Sequence, residues 1–340
     1  MELSLGAAII VLISAGLVVV VVGPRMVTVA DRLADVTGLG EAVVGAVLLG
    51  AATSLPDIVA TAQPALSGFA EQATGNALGG VVVQTAFLAI ADLTYRRANL
   101  EHATASLPNL VQAAVLVALL SLVGIALAAP TLTVGPVHVM TFILPALYWY
   151  GFRTVRAVTE EPLWKAVWTT ESRSDEPEPE NAAADLPSLL TQAGVLAVVL
   201  MAAGWFVGEA GQSLVAETGL SEGAVGALFT ATATSISELV VSVSAVRQGA
   251  LTLAVGTVIG GNSFDTLLMI AADVFYRDGS VYAAVGPTMQ VLVGVGIAMT
   301  TILILGMLHR ERHGVANIGT ESAAVLVLYV VAALLLLGTV

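Results

Sequence analysis

Two short polar stretches stand out from an apolar chain. Residues 53–57 read TSLPD and residues 234–238 read TSISE, each flanked by long apolar runs. Two further stretches follow at a common distance: GNALGGVVVQ at 75–84 and GTVIGGNSFD at 256–265. Together they supply three acids, Asp57, Glu238 and Asp265, one amide, Gln84, and the hydroxyls of Thr53, Ser54, Thr234 and Ser235. A charge at the centre of a bilayer costs roughly 2.5–3.5 kcal/mol on insertion scales, so three such acids are hard to explain by packing. Pro56 removes a backbone donor and frees a carbonyl one turn earlier, and in hydrocarbon that carbonyl needs a partner. A donor set made only of oxygen suits calcium, sodium or magnesium. Magnesium keeps its waters, so calcium fits a closed protein cage better. Thr53 and Asp57 are four apart and share a helix face. The bland alternatives are a protonated carboxyl bonded to the helix, and hydroxyls that bond their own helix backbone.

These residues need elements that hold them inside a membrane. The chain has 340 residues, of which 57% are hydrophobic and 11% charged. Apolar runs of about 20 residues recur along its whole length, the pattern of a polytopic helical membrane protein. Ten spans are expected, near 3–22, 39–66, 75–95, 108–129, 133–152, 187–208, 220–246, 251–275, 283–308 and 321–339. They leave no room for a sizeable soluble domain. The N-terminus lacks a basic leader and reads as the first span. If it lies outside, eleven of the twelve basic residues fall in cytoplasmic loops and only Arg277 faces outward. That asymmetry is the positive-inside pattern, and it puts both termini outside. The expected units are a five-helix repeat at 1–152, an acidic cytoplasmic loop at 153–186 and a second five-helix repeat at 187–340. Pro162, Trp164 and Trp168 mark a short interfacial helix within that loop.

The two halves are related. Shifted by 181 residues, 37–96 lies on 218–277 without a gap and with 21 identities in 60 positions. Gly79 and Gly80 meet Gly260 and Gly261, Asp57 meets Glu238, Gln84 meets Asp265, and Asp92 meets Asp273. Five spans per half make the repeat inverted, which is a recurring plan of secondary transporters with the site near the midplane. The glycine pairs are expected to allow close backbone approach there. Asp92–Arg96 and Asp273–Arg277 read as i, i+4 ion pairs, with a cation-attracting vestibule as the lesser reading. Gly16 and Gly23 in span 1, and Gly194, Gly204 and Gly208 in span 6, read first as close-packing sites.

Other function classes are excluded or weakened. Cysteine is absent, so there is no disulfide or thiolate site. The four histidines show no ligand spacing. No basic patch points to nucleic acid, and no Walker-type loop points to an ATP-driven pump. No cofactor or enzymatic activity is expected. The net charge of −13 with a single lysine suits a halophilic prokaryote, or else a solvated acidic linker in a GC-rich genome.

At the paired motifs the sequence resembles the cation/calcium exchanger superfamily and, within it, the sodium/calcium exchangers. The resemblance covers both halves and the ten-span layout. It implies an all-α antiporter of the cell membrane that exports calcium in exchange for sodium by alternating access, with spans 1 and 6 moving. It implies that Asp57 and Glu238 hold calcium, that Gln84 and Asp265 line the same centre, and that the threonine and serine pairs help bind sodium. Asp57 stands where these exchangers usually have Glu, Gln84 where they have Asn or Asp, and Gly80 and Gly261 where they have serine. The missing serines open the alternative of a proton/calcium antiporter, with a potassium-requiring exchanger as a variant. A passive cation channel is a more distant alternative. The partners implied are lipid and inorganic cations, with the oligomeric state left open.

Overall fold

The computed structural model describes residues 3–37, 54–94, 100, 104–160, 186–248, 251–309 and 319–338. Within them the chain is almost wholly helical. Helix α1 is Leu5–Thr37, α2 Leu55–Leu66, α3 Ala70–Thr94, α4 Leu107–Ala128 and α5 Met140–Glu160. A two-residue hairpin, β1 Thr133–Val134 and β2 Val137–His138, precedes α5. The second half repeats the plan with α6 Leu186–Thr218, α7, α8, α9 Thr288–His309 and α10 Thr320–Leu337. Helix α7 starts as Glu222–Ala224, passes through a π-helical turn at Val225–Thr230 and continues as Ala231–Gln248. Helix α8 has two segments, Leu251–Asp265 and Leu268–Phe275. Eight of the described helices are long and apolar enough to cross a membrane. The described part of α2 is too short to count, and α5 is not among the eight. Residues 39–53, the acidic loop at 161–185 with Pro162, Trp164 and Trp168, and Arg96 lie outside the described residues.

Large apolar side chains such as Ile10, Leu17, Val195, Val198, Val327 and Leu334 stay more than half exposed. On a protein in water such a surface would be an aggregation hazard; facing lipid it is the expected coat. One core cluster joins α3, α4, α8, α9 and α10 through residues such as Leu78, Leu116, Ile259, Met289 and Val325. A second joins α1, α6 and α2 through Ala15, Val19, Ala60, Leu200, Ala203 and Val207. Helices α1 and α6 therefore form a packed pair on the flank of the central helices α2, α3, α7 and α8.

Several boundaries differ from the sequence reading. Helices α1 and α6 extend to 33 residues each. Helix α1 runs through Pro24, and the Arg25 guanidinium donates to the Val21 carbonyl at 2.6 Å. The segment 133–138 is a hairpin turning at Gly135 (φ 64°), not the start of a helix.

The Asp273–Arg277 ion pair is corrected too. Asp273 Oδ2 accepts from the His138 N–H at 2.7 Å and the Thr141 hydroxyl at 2.6 Å. Its Oδ1 accepts from the Ser280 hydroxyl at 2.7 Å and the Val281 N–H at 2.9 Å. Asp92 repeats this pattern 181 residues earlier. It accepts from the Leu100 N–H at 2.8 Å, from the Gly319 N–H at 3.2 Å and from Ser322. Leu100, His138 and Thr141 correspond to Val281, Gly319 and Ser322 under the same shift. Each aspartate thus ties the end of α3 or α8 to the start of the fifth helix of the other half. The Asp273 clamp lies at the hairpin end of the bundle, and the Asp92 clamp at the opposite end.

Candidate cation site

The central acids are placed by helix ends and breaks, though not where symmetry alone predicts. Asp57 lies in the first turn of α2, whose N-cap is Ser54. Pro56 occupies the same turn, where a missing N–H costs least. Asp265 ends the first segment of α8, after which i→i+3 bonds (Leu267 N–H to Phe264 O, 2.8 Å) tighten the chain before it resumes. Glu238 and Gln84, by contrast, sit within unbroken helix. The helix breaks therefore fall at Asp57 and Asp265 and not at their symmetry mates. Thr53 lies outside the described residues.

The other expected residues converge. Ser54, Asp57, Gln84, Thr234, Ser235, Glu238 and Asp265 are all buried. Ser54 leaves its own helix N-terminus uncapped and donates to Asp265 Oδ1 at 2.8 Å. The Gln84 amide donates to Asp265 Oδ2 and, at 3.2 Å, to the Ser235 hydroxyl. Thr234 donates to Asp57 Oδ1, and Ser237 to Glu238 Oε2 at 3.0 Å. The three carboxyl groups lie within electrostatic reach of one another. Asp57 Oδ2, Glu238 Oε1 and Gln84 Oε1 are buried acceptors with no hydrogen-bond donor. Among the described residues no three acidic or histidine side chains converge tightly enough to cage a metal; the acids are joined instead through hydroxyls and one amide. Those hydroxyls can rotate from donor to acceptor, so the same groups can hold a carboxyl group or turn their oxygens toward a cation.

The glycines have distinct uses. A Cβ on Gly80 would lie 3.4 Å from Asp265 Oδ2, and one on Gly261 3.3 Å from Gln84 Oε1, so these two border the acids themselves. Gly79 lies against the Ala227 backbone and lets α3 approach the π-helical turn of α7. A Cβ on Gly260 would meet the Gln112 amide at 2.5 Å. Gly23 and Gly204, related by the 181-residue shift, press on Ser237 and on the Pro56 carbonyl, the residues just before Glu238 and Asp57. Asn76, whose amide donates to the Asp57 carbonyl at 3.4 Å, is not singled out by the sequence, and Ser237, a polar residue of the second motif, is not among the expected ligands. Ser237 carried a signal, being the residue that replaces proline in the second copy of the motif.

With this geometry in hand, comparison with known proteins gives a consistent answer. The chain is 26% identical over 305 residues to CaxA, assigned as an antiporter in Alkalimonas amylolytica, covering 84% of this chain and 86% of that one. Its fold resembles the crystal structure of the H+/Ca2+ exchanger CAX, with a TM-score of 0.68 and 13% identity over 98% of this chain and 85% of that one. It also resembles the sodium-calcium exchanger NCX_Mj, with a TM-score of 0.57 and 19% identity over 94% of this chain and 96% of that one. The profile of the family described as sodium/calcium exchanger protein matches residues 7–155 and 188–338, one match to each half. The chain belongs to the sodium/calcium exchanger protein family.

Proposed function

We propose that the protein is a secondary antiporter that exports calcium in exchange for sodium, with both ions using the centre between the two repeats. The observation that carries this reading is the cluster of three buried carboxyl groups, bridged by hydroxyls and holding unpartnered oxygens, with no basic side chain bonded to any of them among the described residues. Asp57 and Glu238 are the calcium ligands, and Gln84, Asp265, Ser54, Thr234 and Ser235 complete the shell with Thr53. Three ionised carboxylates are neutralised by three sodium ions. With Asp265 protonated, two charges remain, which one calcium neutralises. One centre then carries either load but not both, and exclusive occupancy is exchange.

The energetics favour three sodium ions. A calcium gradient of about 10⁴-fold opposes export by about 5.5 kcal/mol. Moving two charges against about 100 mV adds about 4.6 kcal/mol. Each sodium entering down a tenfold gradient and the same potential supplies about 3.7 kcal/mol, so two fall short and three suffice. Arg25, Arg32, Arg153, Arg156 and Arg247 belong to the end opposite the hairpin and Arg277 to the hairpin end, which supports placing the hairpin outside a plasma membrane. The acidic balance keeps a halophilic prokaryote as the host we favour.

A second reading is proton coupling. Gly80 and Gly261 border the acids without hydroxyls, and Asp265, held by Ser54 and Gln84, is then the proton carrier. Calcium-45 uptake into proteoliposomes separates the two. One set is loaded with sodium and diluted into sodium-free medium at matched pH. The other carries a pH gradient and no sodium. Uptake in the first set alone supports sodium exchange, uptake in the second alone supports proton exchange, and uptake in neither, with potassium present in both media, refutes antiport.

A further inference from the structure

Helix α3 carries a row of side chains with one face in common. Gln72, Asn76, Gly80 and Gln84 follow one another at four-residue steps, so they lie along a single ridge about 18 Å long. Three of the four are carboxamides, and all three are at most 1% exposed. Each has its nitrogen tied down. Gln72 donates to the Gly208 carbonyl of α6 at 3.0 Å. Asn76 donates to the Thr61 hydroxyl of α2 at 3.0 Å and to the Asp57 carbonyl at 3.4 Å. Gln84 donates to Asp265 and Ser235. Main-chain carbonyls accept only donors, so the Gln72 and Asn76 amides cannot be turned round without placing oxygen against oxygen.

Each of the three amides therefore keeps its oxygen free. Gln72 Oε1, Asn76 Oδ1 and Gln84 Oε1 are all buried acceptors with no donor. A buried acceptor without a partner is destabilising, and three of one kind on one ridge need a common reason. Scaffold packing does not provide it. The matching ridge of α8, 181 residues on, reads Leu253, Thr257, Gly261 and Asp265, so the same fold is built without amides at the two outer steps. At the hairpin end the row meets a polar contact between α2 and α6. There the Gln63 amide donates to Glu209 Oε1 at 2.9 Å and accepts from Gln212 at 2.9 Å. At its inner end it reaches Gln84 and Asp265, and the Asn76 amide also touches the carbonyl of Asp57.

We propose that Gln72 and Asn76 form a transit subsite for a partly dehydrated cation, on the path between the hairpin end and the central acids. Their carbonyl oxygens replace water around the ion, as rows of carbonyls do in selective pores. The subsite serves the same ions as the centre and rests on the cation-antiport reading above. Its oxygens pass the ion on to Asp57, and Glu209 supplies the attraction at its mouth.

The test compares two kinds of substitution in the full-length protein. Gln72→Met and Asn76→Leu remove both the nitrogen and the oxygen. Gln72→Glu and Asn76→Asp keep oxygen and lose the anchoring nitrogen. Two quantities are read: the initial rate of calcium-45 exchange in proteoliposomes, and equilibrium calcium binding in detergent. The apolar variants should slow exchange by about tenfold or more, and Gln72→Met, whose anchor is the Gly208 carbonyl away from the acids, should leave calcium affinity within about twofold. The acidic variants should keep at least about half of the wild-type rate. Equal slowing in all four would make the amides structural anchors and overturn the proposal, as would wild-type rates throughout. If the apolar variants fail to fold, seen as lost calcium binding, the acidic pair decides, and a tenfold loss of rate there overturns it. Absence of calcium flux in the wild-type protein under every gradient overturns the antiport reading and the subsite with it.

Discussion

Replacing Asp273 with Asn tests the cross-repeat clamp most sharply. The carboxylate is 1% exposed and accepts four hydrogen bonds, two at each oxygen. Asparagine keeps one oxygen and puts an NH2 group against the donors of the other. The hydroxyl of that pair can rotate away, but the backbone N–H cannot, whether it belongs to His138 or Val281. Hydrogen bonds to charged groups contribute roughly 1.5–3 kcal/mol each, and removing a buried charge offsets part of the loss of two. The expected cost is about 3 kcal/mol of folding free energy. Asp92→Asn, with three partners and one of them at 3.2 Å, should cost less, about 2 kcal/mol. Thr141→Val removes one donor and should cost about 1 kcal/mol, with a coupling to Asp273→Asn of about the same size. Equilibrium unfolding in mixed detergent micelles measures all of these. A loss below about 0.5 kcal/mol for Asp273→Asn, or no coupling to Thr141, would refute the clamp as a structural tie.

Three further outcomes follow from the site. Glu238→Gln and Asp57→Asn should each weaken calcium binding by about a hundredfold or more, since in the proposed site each removes a charged ligand; wild-type affinity in either would displace these residues from the site. Gly204→Ala should impair exchange more than Gly23→Ala, because its new methyl meets the Pro56 main chain, whereas the Gly23 methyl meets the Ser237 side chain, which can turn; equal rates would mean these contacts do not constrain α1 and α6. Gly80→Ser with Gly261→Ser adds hydroxyls beside Asp265 and Gln84 and should raise the sodium dependence of calcium uptake; an unchanged sodium response would remove these positions from sodium binding.

Much of this architecture was legible because the chain is written twice. The 181-residue shift aligned Asp57 with Glu238 and Gln84 with Asp265, and it also relates Gly23 to Gly204 and Leu100 to Val281, whose contacts the structure repeats. What the sequence hid has physical reasons. Arg25 and Arg32 read as the end of a span, yet a long basic side chain can reach the interface along its stem, and α1 runs on past both. The run PTLTVGPVHV looked apolar enough to continue a helix, but Gly135 turns it into a hairpin. Asp273 has a basic residue four positions on, which promised an ion pair; two of its actual partners, His138 and Thr141, lie about 130 residues away and act through a backbone N–H and a hydroxyl. The free oxygens of Gln72 and Asn76 depend on which end of each amide is tied down, and spacing alone does not carry that.

The central claim is that calcium sits among Asp57, Glu238 and their neighbours and gives way there to the coupling ion. Calorimetric titration of calcium into the purified protein, repeated in the presence of sodium and across pH, tests it directly. The account predicts one saturable calcium site, displaced competitively by sodium, or by protons if coupling is to protons, and lost in Asp57→Asn. Calcium binding that persists in Asp57→Asn and Glu238→Gln, or that neither sodium nor protons displace, would contradict it.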